Sequence, residues 1–573
     1  MCRLTGENHS QLFHLSFILL FYIMFTNHIS HTFASVPRAE LPRSQFDRSY
    51  SHKLTMNAGY LVPAFFDEVL PGDTFNLRVN MFARLASPLT VPIMDDMFID
   101  MQFFYVPCRI LWDNWKKFQG EQRNPGDSTD YLIPEAEVFL NPADYSYGGL
   151  ADAFGIPPAP WLAQGNYALV NALPFRAYNL IWNEWYRDQN LQIRAPEFYG
   201  DGPDSATLSD NPYVLRPRGK RHDYFTSCLP WPQKGPGVEI SLGQYAPLID
   251  IDPSIPLEYK VYGPTGLSAP NALLQGHTAG SADVENLHLA RSTITNPSGT
   301  LFMGSPQLEG RYFADLSSAT PITINSLRQA VQLQRLLERD ARGGTRYTEV
   351  LRSHFGVVAP DASLQRPEYL GGFTRPIVVN PVSQTSSSDE GTPQANQAAW
   401  CAVGAVESGF VKSFTEHGYV FGLVSIRANL TYQQGLNRLW SRRTRFDFYM
   451  PVLAHLGEQA VLNKEIYYQC NDDDNKAFGY QERFAEYRYH PSQISGLFRS
   501  TAPQSLDIWH LSQKFDTLPT LSDQFIRENP PIARVSAVSP AVSGAGFLAD
   551  FWFQLKTARV MPTYSVPGLM DHF

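Results

Sequence analysis

From Phe75 to Met81 the chain alternates strictly: Phe75, Leu77, Val79 and Met81 are apolar, and Asn76, Arg78 and Asn80 between them are polar. Side chains of a strand point to opposite faces with a period of two, so this segment reads as a half-buried strand with one face on a core. The pattern returns near the C-terminal end, in residues 551–560, where Phe551, Phe553 and Leu555 oppose Trp552, Gln554 and Lys556. Residues 97–106 are apolar on both faces except for Asp100 and Gln102, which predicts a more central strand. Pro88, Pro92 and Pro107 mark strand ends around it. Residues 419–428 and 483–489 are further predicted strands.

Helices are fewer. Ser326 and Gln329 have the spacing of a capping box, and Leu327, Ala330, Val331, Leu333, Leu336 and Leu337 then supply an apolar face that Gly343-Gly344 ends. A short helix over 347–354 follows, and the aromatic-rich segments 112–118 and 175–186 are two more. Residues 237–320 are dense in Gly, Pro, Ser, Thr and Asn with little periodicity, which reads as a large insertion between scaffold elements. Residues 383–397 read as an exposed loop. Strands scattered along the whole length with very long connections suit a β-sandwich whose loops carry the specialised surfaces. The regular strand–helix alternation of a parallel sheet is absent.

Composition narrows the function. Charged residues make up 18% of the 573-residue chain and aromatic residues 13%, which suggests surface buried against other molecules. With 46 basic and 55 acidic residues the net charge is -9, so any contact with nucleic acid must be local. Five separated cysteines, Cys2, Cys108, Cys228, Cys401 and Cys470, signal neither a disulfide framework nor a zinc site, and a reducing compartment fits them best. Residues 17–25 form an unbroken apolar run of signal-peptide length, too short to span a bilayer.

No phosphate-cradling loop, HExxH or GxSxG sequence is present, and no cofactor is implied. The acidic pairs Asp67-Glu68 and Asp95-Asp96 read as turn and strand-end residues. Asp472-Asp473-Asp474 lacks the glycine and distal glutamate of a calcium loop. His222, His417 and His455 have no partner at ligand spacing. Two basic clusters remain as candidate sites. One is Arg216, Arg218, Lys220 and Arg221, leading into Tyr224 and Phe225; the other is Arg438, Arg442, Arg443 and Arg445, interleaved with Trp440 and Phe446. Guanidinium groups beside aromatic faces suit single-stranded nucleic acid, because phosphates pair with the charge while bases stack on the rings. Contacts between subunits would use the same residues.

Several strings resemble the major capsid protein of the gokushoviruses, within the Microviridae. They include Asn57-Ala58-Gly59-Tyr60-Leu61-Val62-Pro63, Asp67-Glu68-Val69-Leu70-Pro71-Gly72-Asp73-Thr74-Phe75, Phe103-Phe104-Tyr105-Val106-Pro107 and Trp112-Asp113-Asn114-Trp115. The similarity continues through Leu229-Pro230-Trp231-Pro232-Gln233-Lys234-Gly235, Arg339-Asp340-Ala341-Arg342-Gly343-Gly344-Thr345-Arg346-Tyr347 and Gly479-Tyr480-Gln481-Glu482-Arg483. It spans residues 36–573 and leaves 1–35 as an apolar extension. Because such proteins begin shortly before a stretch like Pro37-Arg38-Ala39-Glu40-Leu41-Pro42-Arg43, translation from Met24 is expected rather than a cleaved export signal.

The resemblance implies a mainly β fold, an eight-stranded viral jelly-roll sandwich with long loop insertions and a few short helices. Its two parts, 36–236 and 321–573, would be interrupted by a surface insertion at 237–320. It also implies a non-enzymatic subunit of a T=1 icosahedral shell of sixty copies, with pentamers as intermediates, assembled in the host bacterial cytoplasm. The shell would enclose circular single-stranded DNA, associate with minor virion proteins, and touch a host receptor through the insertion, with no membrane. From the residues alone, the rival reading is a secreted carbohydrate-active β-sandwich.

Overall fold

Nine strands carry the predicted alternation into one curled antiparallel sheet in the computed structural model. The structure describes residues 42–207, 210–238, 324–344, 346–386, 394–429 and 431–564, together with six short strands between 239 and 323. The main strands are β1 (Ser44–Asp47), β2 (Tyr50–Met56), β3 (Val62–Val69), β4 (Thr74–Leu85), β5 (Met97–Pro107), β6 (Glu368–Ser383), β7 (Gln397–Ser413), β8 (Gly418–Ala428) and β9 (Phe547–Arg559). Their order is β1/β2-β9-β4-β7-β6-β5-β8-β3, with β1 and β2 both paired to the same edge of β9. Those two are one edge strand interrupted at Arg48-Ser49, so the eight strand positions of a jelly roll are present.

One strand turns the corner between the layers. The first part of β6, Glu368 to Ile377, pairs with β5, and the last part, Val378 to Ser383, pairs with β7. A bulge at Tyr369/Gly371 lies in the first part, where Gly371 has φ +133°. A Cβ on the adjacent Gly372 would sit 2.5 Å from the Met101 carbonyl oxygen, so only glycine allows the two backbones to approach this closely.

The two layers close on a core that follows the period of two. Phe75, Leu77, Val79, Met81 and Ala83 of β4 and Phe551, Phe553 and Leu555 of β9 point inward, and Ile99, Met101, Phe103, Val420, Val424 and Ile426 meet them from the opposite layer. On the other face of β5 and β8, Phe104, Val106, Tyr419, Phe421 and Leu423 form a second core with helix α1 (Leu173–Ile181) and with Trp112. Both faces of β5 are therefore covered, which is why its sequence is apolar on both sides. Its polar exceptions are neutralised: Asp100 accepts from Thr374 at 2.6 Å and pairs with Arg427, and the Gln102 side-chain oxygen accepts from Tyr186 at 2.6 Å.

The connections 108–367 and 429–546 are long and fold on each other. Tyr224, Phe225, Ile466, Phe478 and Phe525 make a third, smaller core between them, beside the hairpin of strands Glu458–Leu462 and Ala477–Glu482. Within the first connection Arg176 and Asp204, each with a side chain 2% exposed, form a two-point ion pair at 2.6 and 2.8 Å, and Tyr213 donates to the same carboxylate.

Several expectations need correction. Residues 483–489 are not a strand: Arg483 donates its backbone N–H to Gly457, Phe484 turns into the left-handed region at φ +63°, and Ala485–Tyr487 is a single tight turn. In the 112–118 segment Trp112 is buried in a turn and the helix proper is Trp115–Phe118. Helix α2 (Ile324–Gly343) places Ser326 inside its first turn rather than at the cap, and α3 (Tyr347–Phe355) follows. Most of the 237–320 insertion lies outside the described residues. The short strands within it pair as Leu248–Asp250 with Tyr312–Ala314, Lys260–Val261 with Leu301–Phe302, and Leu274–Gln275 with His288–Leu289.

Replacing Arg176 by Met should cost about 3–5 kcal/mol in urea unfolding of the protein, because Asp204 would stay buried without its counter-charge. Replacing Lys53, whose pairing with Asp550 is solvent-exposed, should cost less than about 1 kcal/mol. Equal losses would refute this account of the loop core.

Candidate nucleic-acid and subunit interfaces

The first basic cluster is folded into the protein. Burial pushes the guanidinium of Arg216 down from its usual pKa; the group donates to Asn179 at 3.1 Å and lies over Trp182. Arg218 stacks on Tyr186, with 4.5 Å from its central carbon to the ring centre, and Arg221 stacks on Phe98 at 4.0 Å. Lys220, 7% exposed, donates to the side-chain oxygen of Gln513 at 2.7 Å and sits 4.4 Å over Phe525. The aromatic partners are thus internal. They come from the neighbouring loops and strands, not from the adjacent Tyr224 and Phe225, which belong to the third core.

Glu528 is the buried acid of this region. It is 4% exposed and accepts from the Ala428 backbone N–H at 3.1 Å; burial raises its pKa to about 7, against the pull of Lys220, Arg427 and Arg221. Burial lowers Lys220 to about 8. Next to Glu528, Gly59 has φ +82°, and a Cβ there would lie 2.0 Å from the Glu528 carbonyl oxygen, so this close crossing also requires glycine.

The second cluster divides. Arg438 donates to Glu465 and to the Ala460 carbonyl, both at 2.8 Å, and Arg442 lies 4.2 Å over Tyr487 beside Glu486. Arg443 and Arg445 instead stand exposed, and their side chains make no hydrogen bond or ion pair with any described residue. Asp447 caps the turn between them, accepting from the backbone N–H groups of Thr444 and Arg443. With Trp440 at 73% exposure and Phe446 at 64%, these two arginines form an open basic and aromatic patch.

Two apolar surfaces lie open, one of them missed in the sequence. The outer face of the β9-β4-β7-β6 layer exposes Phe82, Trp552, Trp400, Val406, Val378 and Val382. A signal existed, since Phe82 and Trp552 occupy positions that the alternation assigns to the outside. The apolar stripe of α2 was expected to pack, yet Leu327, Val331, Leu333 and Leu336 are all exposed and Ala341 is its buried residue. Cys108, Cys228 and Cys401 are buried thiols whose pKa values burial raises, which makes them poor nucleophiles. Among the described residues no group of acids, cysteines and histidines is placed to hold a metal ion.

Residues 34–569 match the family model described as capsid protein (F protein). The chain belongs to this capsid family. It is 46% identical to capsid protein VP1 of Bdellovibrio phage phiMH2K over 556 residues, covering 96% of this chain and 99% of that protein. It is 42% identical to capsid protein VP1 of Chlamydia phage 1, with 94% and 98% covered, and 36% identical to that of Spiroplasma virus 4, with 94% and 97% covered. The resemblance to gokushovirus capsid proteins holds along nearly the whole capsid protein, whose place is the virion and whose role is structural. This family accounts for the matched span where the secreted carbohydrate-active reading does not.

Glu528 gives this capsid protein a pH dependence with a definite sign. Its folded-state pKa lies above the unfolded value, so the stability its protonated form contributes is complete below the ordinary glutamate range and is lost as pH rises through about 7. Lys220 is protonated in both states below pH 7 and adds no slope there. Denaturant titrations at pH 5 and pH 7 should show a larger stability loss in the wild type than in Glu528→Gln; identical losses would refute the assignment.

Proposed function

We propose that copies of this capsid protein close into a T=1 shell of sixty subunits around a circular single-stranded DNA genome. The observation that carries the reading is the apolar surface left open on one subunit, on the outer sheet face and along α2. Contiguous exposed apolar patches are rare on proteins that work alone and mark surfaces that associate. Many modest contacts repeated by symmetry make such a shell persist. Pentamers are the natural intermediates, and assembly takes place in the host bacterial cytoplasm with minor virion proteins joining the particle. No membrane is involved in this reading, and among the described residues no helix is long and apolar enough to cross one.

The insertion at 237–320 serves as a surface protrusion that contacts a host receptor. The nested pairing of its short strands supports a segment that leaves the scaffold and returns to it. The open patch of Arg443, Arg445, Trp440 and Phe446 suits contact with the genome, where charge meets phosphates and rings meet bases.

Sedimentation and electron microscopy of the purified protein should show pentamers and closed shells; a protein that stays monomeric under all conditions would refute the reading. The Arg443→Ala/Arg445→Ala double variant should still assemble. The salt dependence of its single-stranded DNA binding should weaken by about 1.4 in log–log slope if each arginine meets one phosphate. An unchanged slope would remove the patch from the genome interface.

A further inference from the structure

Between the turn that follows α1, the stretch around Arg218, and the junction of α2 with α3 lies a cavity of about 510 Å³. Its walls carry Arg187, Arg218, Lys220, Arg342, Arg346 and Arg427 but only two acids, Asp188 and Glu349. Most of this charge is answered locally. Arg342 pairs with Glu458 and Glu482, Arg427 with Asp100, and Arg346 with Glu349, while Lys220 bonds to the neutral Gln513 and feels the charges of Asp223 and Glu528. Two guanidinium groups are left over.

The guanidinium of Arg218 rests on the Tyr186 ring and makes no hydrogen bond or ion pair with any described residue. Arg187 donates from one terminal nitrogen to the Gln192 carbonyl at 2.9 Å, and its Nε–H is buried without an acceptor. The Nε–H of Arg346 is buried in the same condition, although its terminal nitrogens bond to Glu349 and to the carbonyls of Asn183 and Arg187. Asp188 accepts the backbone N–H groups of Asn190 and Leu191 and, like Glu184, acts on Arg187 through its charge without forming an ion pair with it. The terminal nitrogens of Arg218 and one terminal nitrogen of Arg187 have no acceptor among the described residues, and an oxyanion in the cavity would supply one.

We infer that this cavity is a binding site for a phosphate group, with Arg218 and Arg187 supplying the charge and Tyr186 fixing the plane of Arg218. A guanidinium fork matches the oxygen spacing of phosphate. Two guanidinium groups that share no ion pair match the several oxygens of a phosphate better than the two of a carboxylate. The phosphate can come from a nucleic-acid strand or from free phosphate. A role in genome contact rests on the proposed function, while the site itself rests on the cavity.

Isothermal titration of the purified full-length protein with inorganic phosphate, against chloride at equal ionic strength, tests the site. Phosphate should bind the wild type, and Arg218→Gln should weaken binding by at least about tenfold. Arg187→Gln serves as an independent variant if the first does not fold. No phosphate-specific binding, or unchanged affinity in both variants, overturns the inference. Competition by 5′-phosphorylated and unphosphorylated thymidine oligonucleotides then identifies the source. Displacement by both supports an internal strand phosphate, displacement by the first alone a terminal one, and displacement by neither free phosphate. Each of these three supports the site. Shells that form and package DNA without any phosphate binding would sink the site and leave the proposed function standing.

Discussion

The burial of β5 and β8 on both faces governs the rest of the molecule. A sandwich needs one covered face per sheet, and the inner residues Phe103 and Val424 meet that need within the first core. The outer residues Phe104 and Phe421 are equally apolar and equally buried, so a second cover is required, and α1 with the turn around Trp112 provides it. Tyr178 fixes the cover by donating to the Leu61 carbonyl at 2.7 Å and accepting from the Arg216 backbone N–H at 2.8 Å. The long connections are thus structural first. They carry specialised surface only where they have finished closing the scaffold.

This order explains what happened to the charges. Of the arginines and lysine in the first basic cluster, each found an aromatic face or a fixed oxygen inside the chain, because the loops that bring them run directly over the doubly buried layer. A guanidinium stacked on a ring keeps favourable electrostatics after losing water, which lets Arg218 and Arg221 sit at the margin of the core. In the second cluster the turn capped by Asp447 projects Arg443 and Arg445 away from the protein, and they remain open.

Much of the scaffold was legible in the sequence, for a clear physical reason. In β4 and β9 one face is buried and the other is not, so the period of two is written directly in the residues. In β5 the two-sided cover is written as an apolar run broken at Asp100 and Gln102. The Arg483–Tyr489 stretch looked like a strand because charged and aromatic residues alternate over its last four positions, yet the chain turns into the left-handed region at Phe484 just after Arg483 bonds to Gly457, which local pattern does not encode. The candidate sites were harder to read. Clusters of Arg and aromatic residues have the same sequence signature whether the rings lie inside the subunit, as at Tyr186, or face outward, as at Trp440. Arg187 and Arg346 carried no signal, because only the fold brings them to the cavity beside Arg218.

What remains apolar and open has the placement of a surface made to be covered. Phe82, Trp400 and Trp552 sit at outward positions of strands whose inner face is already complete, and close to half of each side chain stays open in the isolated subunit. Hydroxyl-radical footprinting of intact particles and of dissociated subunits addresses that point most directly. The account predicts that Trp400, Trp552 and Leu336 are labelled readily in the free subunit and strongly protected in the particle. Equal labelling of these residues in both states would contradict it.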